Sequence, residues 1–141
     1  MQIARTGIIL TTEGYDDCVA FYRDLFSLPL LFQQQQDDFR LGCLDCNGAC
    51  PMIETGGHAR PAGKTIAQNA SKLSFNVTSL KVALQTIRNR GIAAEISVND
   101  RGSTIDLFDA DGNRAGIREK PGFAAQIDNR KSLSGRPGEI Q

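Results

Sequence analysis

The chain has 141 residues, 16 Lys and Arg against 16 Asp and Glu, one histidine, four cysteines and no tryptophan. That length is of single-domain size, and 40% hydrophobic with 23% charged residues is the balance of a folded chain rather than a disordered one. A net charge of zero supplies no global pull toward nucleic acid or an anionic membrane, and neither partner is expected. No apolar run approaches the ~18–20 residues of a membrane span. Met1-Gln2-Ile3-Ala4-Arg5 lacks the apolar core of a signal peptide, so a cytoplasmic location is expected.

In chain order, Thr6 to Thr12 is apolar and β-branched and predicts a buried strand. Asp16 and Asp17 suit a first helical turn, and Cys18, Phe21, Tyr22, Leu25 and Phe26 then recur on one helical face. Pro29 opens an extended run, Leu30-Leu31-Phe32. Phe39, Leu41 and Cys43 alternate as a strand does, and Asp45-Cys46-Asn47-Gly48 supplies a hairpin turn into a partner strand, Ala49 to Thr55. Residues 57–70 hold glycines and Pro61 with little apolar content and read as a linker or lid. The pattern then restarts. Leu73, Phe75 and Val77 mark a strand, and Leu80, Leu84 and Ile87 mark a helix stopped by Gly91. Strands follow over Ile92 to Val98, Thr104 to Phe108 and Arg114 to Arg118, the last two joined by Asp109-Ala110-Asp111-Gly112.

The two halves correspond. Asp45 and Gly48 map onto Asp109 and Gly112 at an offset of 64, and the strand-helix-three-strand order repeats with them. Residues 1–64 carry 5 basic and 8 acidic groups, the remainder 11 and 8, so the halves differ in sign. Cys18, Cys43, Cys46 and Cys50 are expected as thiols. Cys43-x2-Cys46-x3-Cys50 has the look of a metal knuckle, but no second pair completes a tetrahedral site. Structural thiols and a reactive or metal-handling cluster both stay open.

On the Ala20-Phe21-Tyr22 to Leu25-Phe26 helix and the run Ile105-Asp106-Leu107-Phe108-Asp109-Ala110-Asp111-Gly112-Asn113-Arg114, the chain resembles the vicinal oxygen chelate superfamily. That group includes glyoxalase I, extradiol dioxygenases and bleomycin-resistance proteins, and the resemblance covers about residues 3–120. It implies an α+β fold of two tandem β-α-β-β-β modules, about 1–56 and 71–120, forming a cup-shaped mixed sheet with helices outside. Residues 121–141 are then a tail, expected to pack on a partner subunit in a homodimer. The family's metal-dependent members draw ligands from the first and last strands of each module. Those positions fall here on Gly7, Lys72 and Gly116, and on Glu54 (or Met52 by strict offset). One carboxylate remains where three or four ligands are wanted, so no cofactor is expected, a divalent metal being the alternative.

The resemblance therefore implies a glyoxalase/bleomycin-resistance-like protein that holds a small, partly hydrophobic molecule in the cup between the modules. The alternative is a lactoylglutathione-lyase-like enzyme, isomerase or dioxygenase with an atypical metal or with Glu54 as a metal-free base; whether the chain is an enzyme is left open. Cys50 and Met52 share the strand face of Glu54, and Arg118 shares that of Gly116. Cys50, Met52, Glu54, Lys72 and Arg118 are accordingly the candidate ligand-binding residues, with Glu54 the one catalytic candidate. Glu54 and Lys72 would pair or orient a polar ligand if both face inward. His58 lies in the linker, where an exposed loop position or a lid role is expected. Asp109 is expected to bond local backbone in its turn. No Ser-His-Asp or Cys-His arrangement and no phosphate-binding glycine fingerprint is present.

Overall fold

The computed structural model of the chain describes residues 1–134. They form eight strands and three α-helices: β1 (Gly7–Thr12), α1 (Tyr15–Ala20), β2 (Leu30–Gln36), β3 (Phe39–Leu44), β4 (Cys50–Thr55), β5 (Leu73–Val77), α2 (Leu80–Asn89), β6 (Ile96–Asn99), β7 (Gly102–Phe108), β8 (Arg114–Glu119) and α3 (Lys120–Ser134). The architecture is α+β, with two mixed four-stranded sheets ordered β1-β4-β3-β2 and β5-β8-β7-β6. In each sheet the first strand runs parallel to the last strand of its module, as a helix-containing crossover requires. No helix among the described residues is long and apolar enough to cross a membrane.

The described residues divide into two compact units, 1–71 with 108–114, and 72–107 with 115–134. In the first unit α1 covers one face of its sheet. Tyr15 donates its hydroxyl to Gln33 on β2, and a Cβ at Gly42 on β3 would lie 2.6 Å from that same oxygen. The covered side chains Leu10, Leu44 and Ile53 are buried with Cys18, Val19, Tyr22 and Leu25. Each large apolar side chain buried this way contributes roughly 1.5–3 kcal/mol. In the second unit Ile87, Ile105 and Ile117 lie inside, and the Ser79 hydroxyl caps α2 by accepting from Val82 N.

Three local features depart from the sequence expectations. Phe21–Leu25 continues α1 as a π-helical turn. Residues 92–95 do not join β6, because the Ala94 carbonyl accepts from the Arg88 guanidinium at 3.0 Å instead of from a strand. The segment from Lys120, glycine- and proline-bearing by composition, is helical to Ser134 and touches β5. The rest of the tail expected at a partner subunit, 135–141, lies outside the described residues.

Candidate functional site

The first sheet has an open face opposite α1. Strand register places Cys50, Met52 and Glu54 of β4 beside Gly7, Ile9 and Thr11 of β1, and Met52 and Glu54 beside Cys43 and Leu41 of β3. Phe39 and Phe32 continue the same face outward. Ile9 is 53% exposed and Phe32 and Phe39 are each 44% exposed, so apolar surface stands open here. Glu54 is the one charged side chain on these strands' open face. Cys50 accepts from the Arg5 guanidinium at 3.3 Å. Burial pushes the Cys43 and Cys46 thiols up, which suits packed thiols more than reactive ones.

The other two candidates, Lys72 and Arg118, line one recess of the second unit. The Lys72 ammonium lies 2.6 Å from the Asp106 carboxylate, and its stem runs over Gly116. Asp106 was not assigned a role by sequence reasoning, which offered Glu54 as the partner of Lys72. Its signal is nonetheless legible: Asp106 alternates with Thr104 on β7, on the face that the neighbouring Gly116 leaves open. Arg118 donates to the Gln126 side chain of α3 at 2.6 Å and to the Arg101 carbonyl at 3.4 Å.

The Asp109-Ala110-Asp111-Gly112 turn does more than close its hairpin. As expected, Asp109 accepts from the backbone of Asp111 and Asn113, both at 2.9 Å. It also receives the Tyr22 hydroxyl at 2.7 Å and the Asn113 amide at 3.0 Å, with the Cys18 thiol at 3.7 Å. Burial and then the Asp109 charge push both the Tyr22 hydroxyl and the Cys18 thiol far above their ordinary values. Asp111 accepts from Glu13 N and Gly14 N, so a residue about a hundred positions away supplies the acceptor that the start of α1 lacks locally.

The linker is anchored rather than loose. Arg60 N donates to the Asp111 carbonyl and Lys64 N to the Gly112 carbonyl. Gly112 (φ +84°) is required, since a Cβ there would overlap the Arg60 carbonyl. Between the linker and β1 lies a cleft of about 720 Å³ whose wall includes the exposed His58.

Neither family models nor curated proteins match the sequence. Solved structures do match in fold. Trypanothione-dependent glyoxalase I of Leishmania major aligns with a TM-score of 0.73 at 12% identity, covering 95% of this chain and 99% of that one. The chain shares the two-module fold of this glyoxalase. Lactoylglutathione lyase from Agrobacterium tumefaciens matches with a TM-score of 0.64 at 16% identity, over 83% of this chain and 93% of that one. An antibiotic binding protein from a Streptomyces species has the same score and identity, over 84% and 98%.

At the positions that the sequence resemblance assigns to metal ligands, Gly7, Glu54 (or Met52), Lys72 and Gly116, the residues present do not make a ligand set. Of these positions, Glu54 alone offers an oxygen donor, and Lys72 is committed to Asp106. A Cβ at Gly7 would lie 2.6 Å from the Cys50 carbonyl oxygen, so the backbone itself closes that position to any side chain. At Gly116 a Cβ would lie 2.9 Å from the flexible end of Lys72, so what that position lacks is a donor atom rather than space. Among the described residues no group of three or more His, Cys, Asp or Glu is placed to hold an ion, and this includes the Cys43, Cys46 and Cys50 knuckle.

Proposed function

We propose that the chain binds a small, partly hydrophobic molecule on the open face of its first sheet and does so without the superfamily's usual metal. The observation that carries this reading is the single carboxylate of Glu54, set among Ile9, Met52, Leu41 and Phe39 on a largely apolar face whose other charge, the Arg5 guanidinium, is held at Cys50. Apolar side chains supply most of the contact free energy, and one charge-assisted hydrogen bond fixes orientation. A ligand with a flat apolar body and a hydrogen-bond donor meets both demands. The antibiotic binding protein and the lyase of the same fold frame the choice between holding a ligand and converting it. Four thiols without a disulfide suit a reducing, cytoplasmic setting.

A thermal-shift screen of aromatic antibiotics and glutathione conjugates tests the reading, with Glu54→Gln run beside the wild type. A ligand at about a hundred times its Kd stabilises the fold by ~2.7 kcal/mol. Glu54→Gln is expected to weaken binding about tenfold, the loss of ~1.4 kcal/mol expected when a charge-assisted bond becomes a neutral one. Binding that is indifferent to Glu54→Gln would overturn the assignment of the site. A stoichiometric divalent ion in the purified protein would overturn its metal-free character. Turnover of a hit that is lost in Glu54→Gln would select the enzyme reading, with Glu54 as base.

A further inference from the structure

We propose that the cleft between β1 and residues 57–71 is a second binding site, specific for a small dianion such as a phosphate monoester or a dicarboxylate. Its volume of about 720 Å³ is that of a metabolite site. The wall holds Arg60, Lys64 and His58 together with neutral hydrogen-bonding groups, and no Asp or Glu lines it.

The two permanent cations are oriented without being neutralised. Arg60 donates to the amide oxygen of Gln68 at 2.5 Å, and Lys64 donates to the amide oxygen of Asn113 at 2.8 Å. Among the described residues neither makes a salt bridge. The carboxylates of Asp109, Asp111 and Glu13 each hold other partners. Asp109 holds Tyr22 and Asn113, Asp111 holds the start of α1, and Glu13 accepts from Ala59 N at 3.4 Å. An arginine and a lysine held by amides in an acid-free recess favour an incoming negative charge, with a forked donor and a point charge for its oxygens.

The recess is built before any ligand arrives. The Arg60 and Lys64 backbones are both tied to the 108–114 turn, and Gly112 permits the close approach. Binding therefore pays little for ordering the loop. The opposite wall, Ile8 to Thr11, belongs to β1, the outer strand of its sheet among the described residues, and an outer strand carries backbone groups that its one partner does not use. This site borders the Glu54 face at Ile9 and Thr11 but shares no charged group with it, so Glu54→Gln and Arg60→Gln test the two proposals separately.

The test is calorimetric titration of the full chain in low-salt buffer with inorganic phosphate, glucose 6-phosphate, succinate and neutral glucose. Saturable binding of a dianion is expected, weakened at least tenfold in Arg60→Gln and in Lys64→Gln and unchanged in Glu54→Gln. Phosphate compounds binding while succinate does not would narrow the class to phosphate esters, and the reverse would narrow it to dicarboxylates. Circular dichroism of each variant establishes that it is folded, and Arg60→Gln, which removes an exposed side chain, keeps the test alive if Lys64→Gln unfolds. Heats matched by chloride at equal ionic strength, binding of glucose alone, no binding of any dianion, or affinity unmoved in both variants would overturn the proposal.

Discussion

Replacing Asp109 by Asn exposes how the first unit is held together. The carboxylate accepts four hydrogen bonds of 2.7–3.0 Å inside a residue that is only 4% exposed. An asparagine keeps one acceptor oxygen, which satisfies the backbone N–H groups of Asp111 and Asn113. Its NH2 then faces Tyr22 and the Asn113 amide. The Tyr22 hydroxyl turns to accept, but the Asn113 amide cannot simply flip, because its own oxygen already serves Lys64 and Asn69. One buried donor is stranded, at ~1–3 kcal/mol, and the three remaining bonds become neutral, a loss offset in part because an amide is less costly to bury than a carboxylate. We expect a total loss of about 2–4 kcal/mol, equivalent to a Tm lower by roughly 6–12 °C in a domain of this size. Urea unfolding at neutral pH measures it, with Tyr22→Phe as a comparison expected to cost about half as much. Coupling in the double variant is expected because the two groups share one hydrogen bond. A loss below ~0.5 kcal/mol for Asp109→Asn would refute the view that this turn is a structural keystone.

Two further outcomes follow from the same geometry. Cys18 and Tyr22 stay protonated in the fold, while the unfolded chain releases those protons near their ordinary values of ~8.5 and ~10. The unfolded state then binds fewer protons, so stability falls as pH rises above ~8.5, by up to ~1.4 kcal/mol per pH unit for each group. Urea midpoints followed from about pH 8 to 10.5 are expected to slope downward, less steeply in Cys18→Ala and Tyr22→Phe; equal slopes would contradict the assignment. Gly7→Ala is expected to destabilise by ~1–3 kcal/mol, since its Cβ meets a backbone carbonyl rather than a pliable side chain. A neutral Gly7→Ala, by differential scanning calorimetry, would show that the position can accept a ligand side chain after all.

Most of the fold is legible in the sequence because its signals are local. Alternation in Phe39-Leu41-Cys43 and Leu73-Phe75-Val77 places strands, the spacing of Leu80, Leu84 and Ile87 places α2, and the Asn47-Gly48 turn has the left-handed backbone that pairing predicts. The grouping of Cys50, Met52 and Glu54 on one face follows from the two-residue period of a strand. Helix α3 escapes notice because its composition carries no apolar period, and the linker passes for a loose loop because its anchors are main-chain bonds, which leave no side-chain signature.

Charge shows the division most plainly. The sequence by itself determines a chain of zero net charge in which a strand-helix-strand order occurs twice. Only the tertiary structure decides where the charges act: Lys72 pairs with Asp106, Asp111 accepts from a helix start far away in sequence, and Arg60 and Lys64 meet amides rather than carboxylates among the described residues. Residue type and spacing fix local conformation through sterics and burial of one face. Which opposite charges meet depends on through-space distances that no local period encodes.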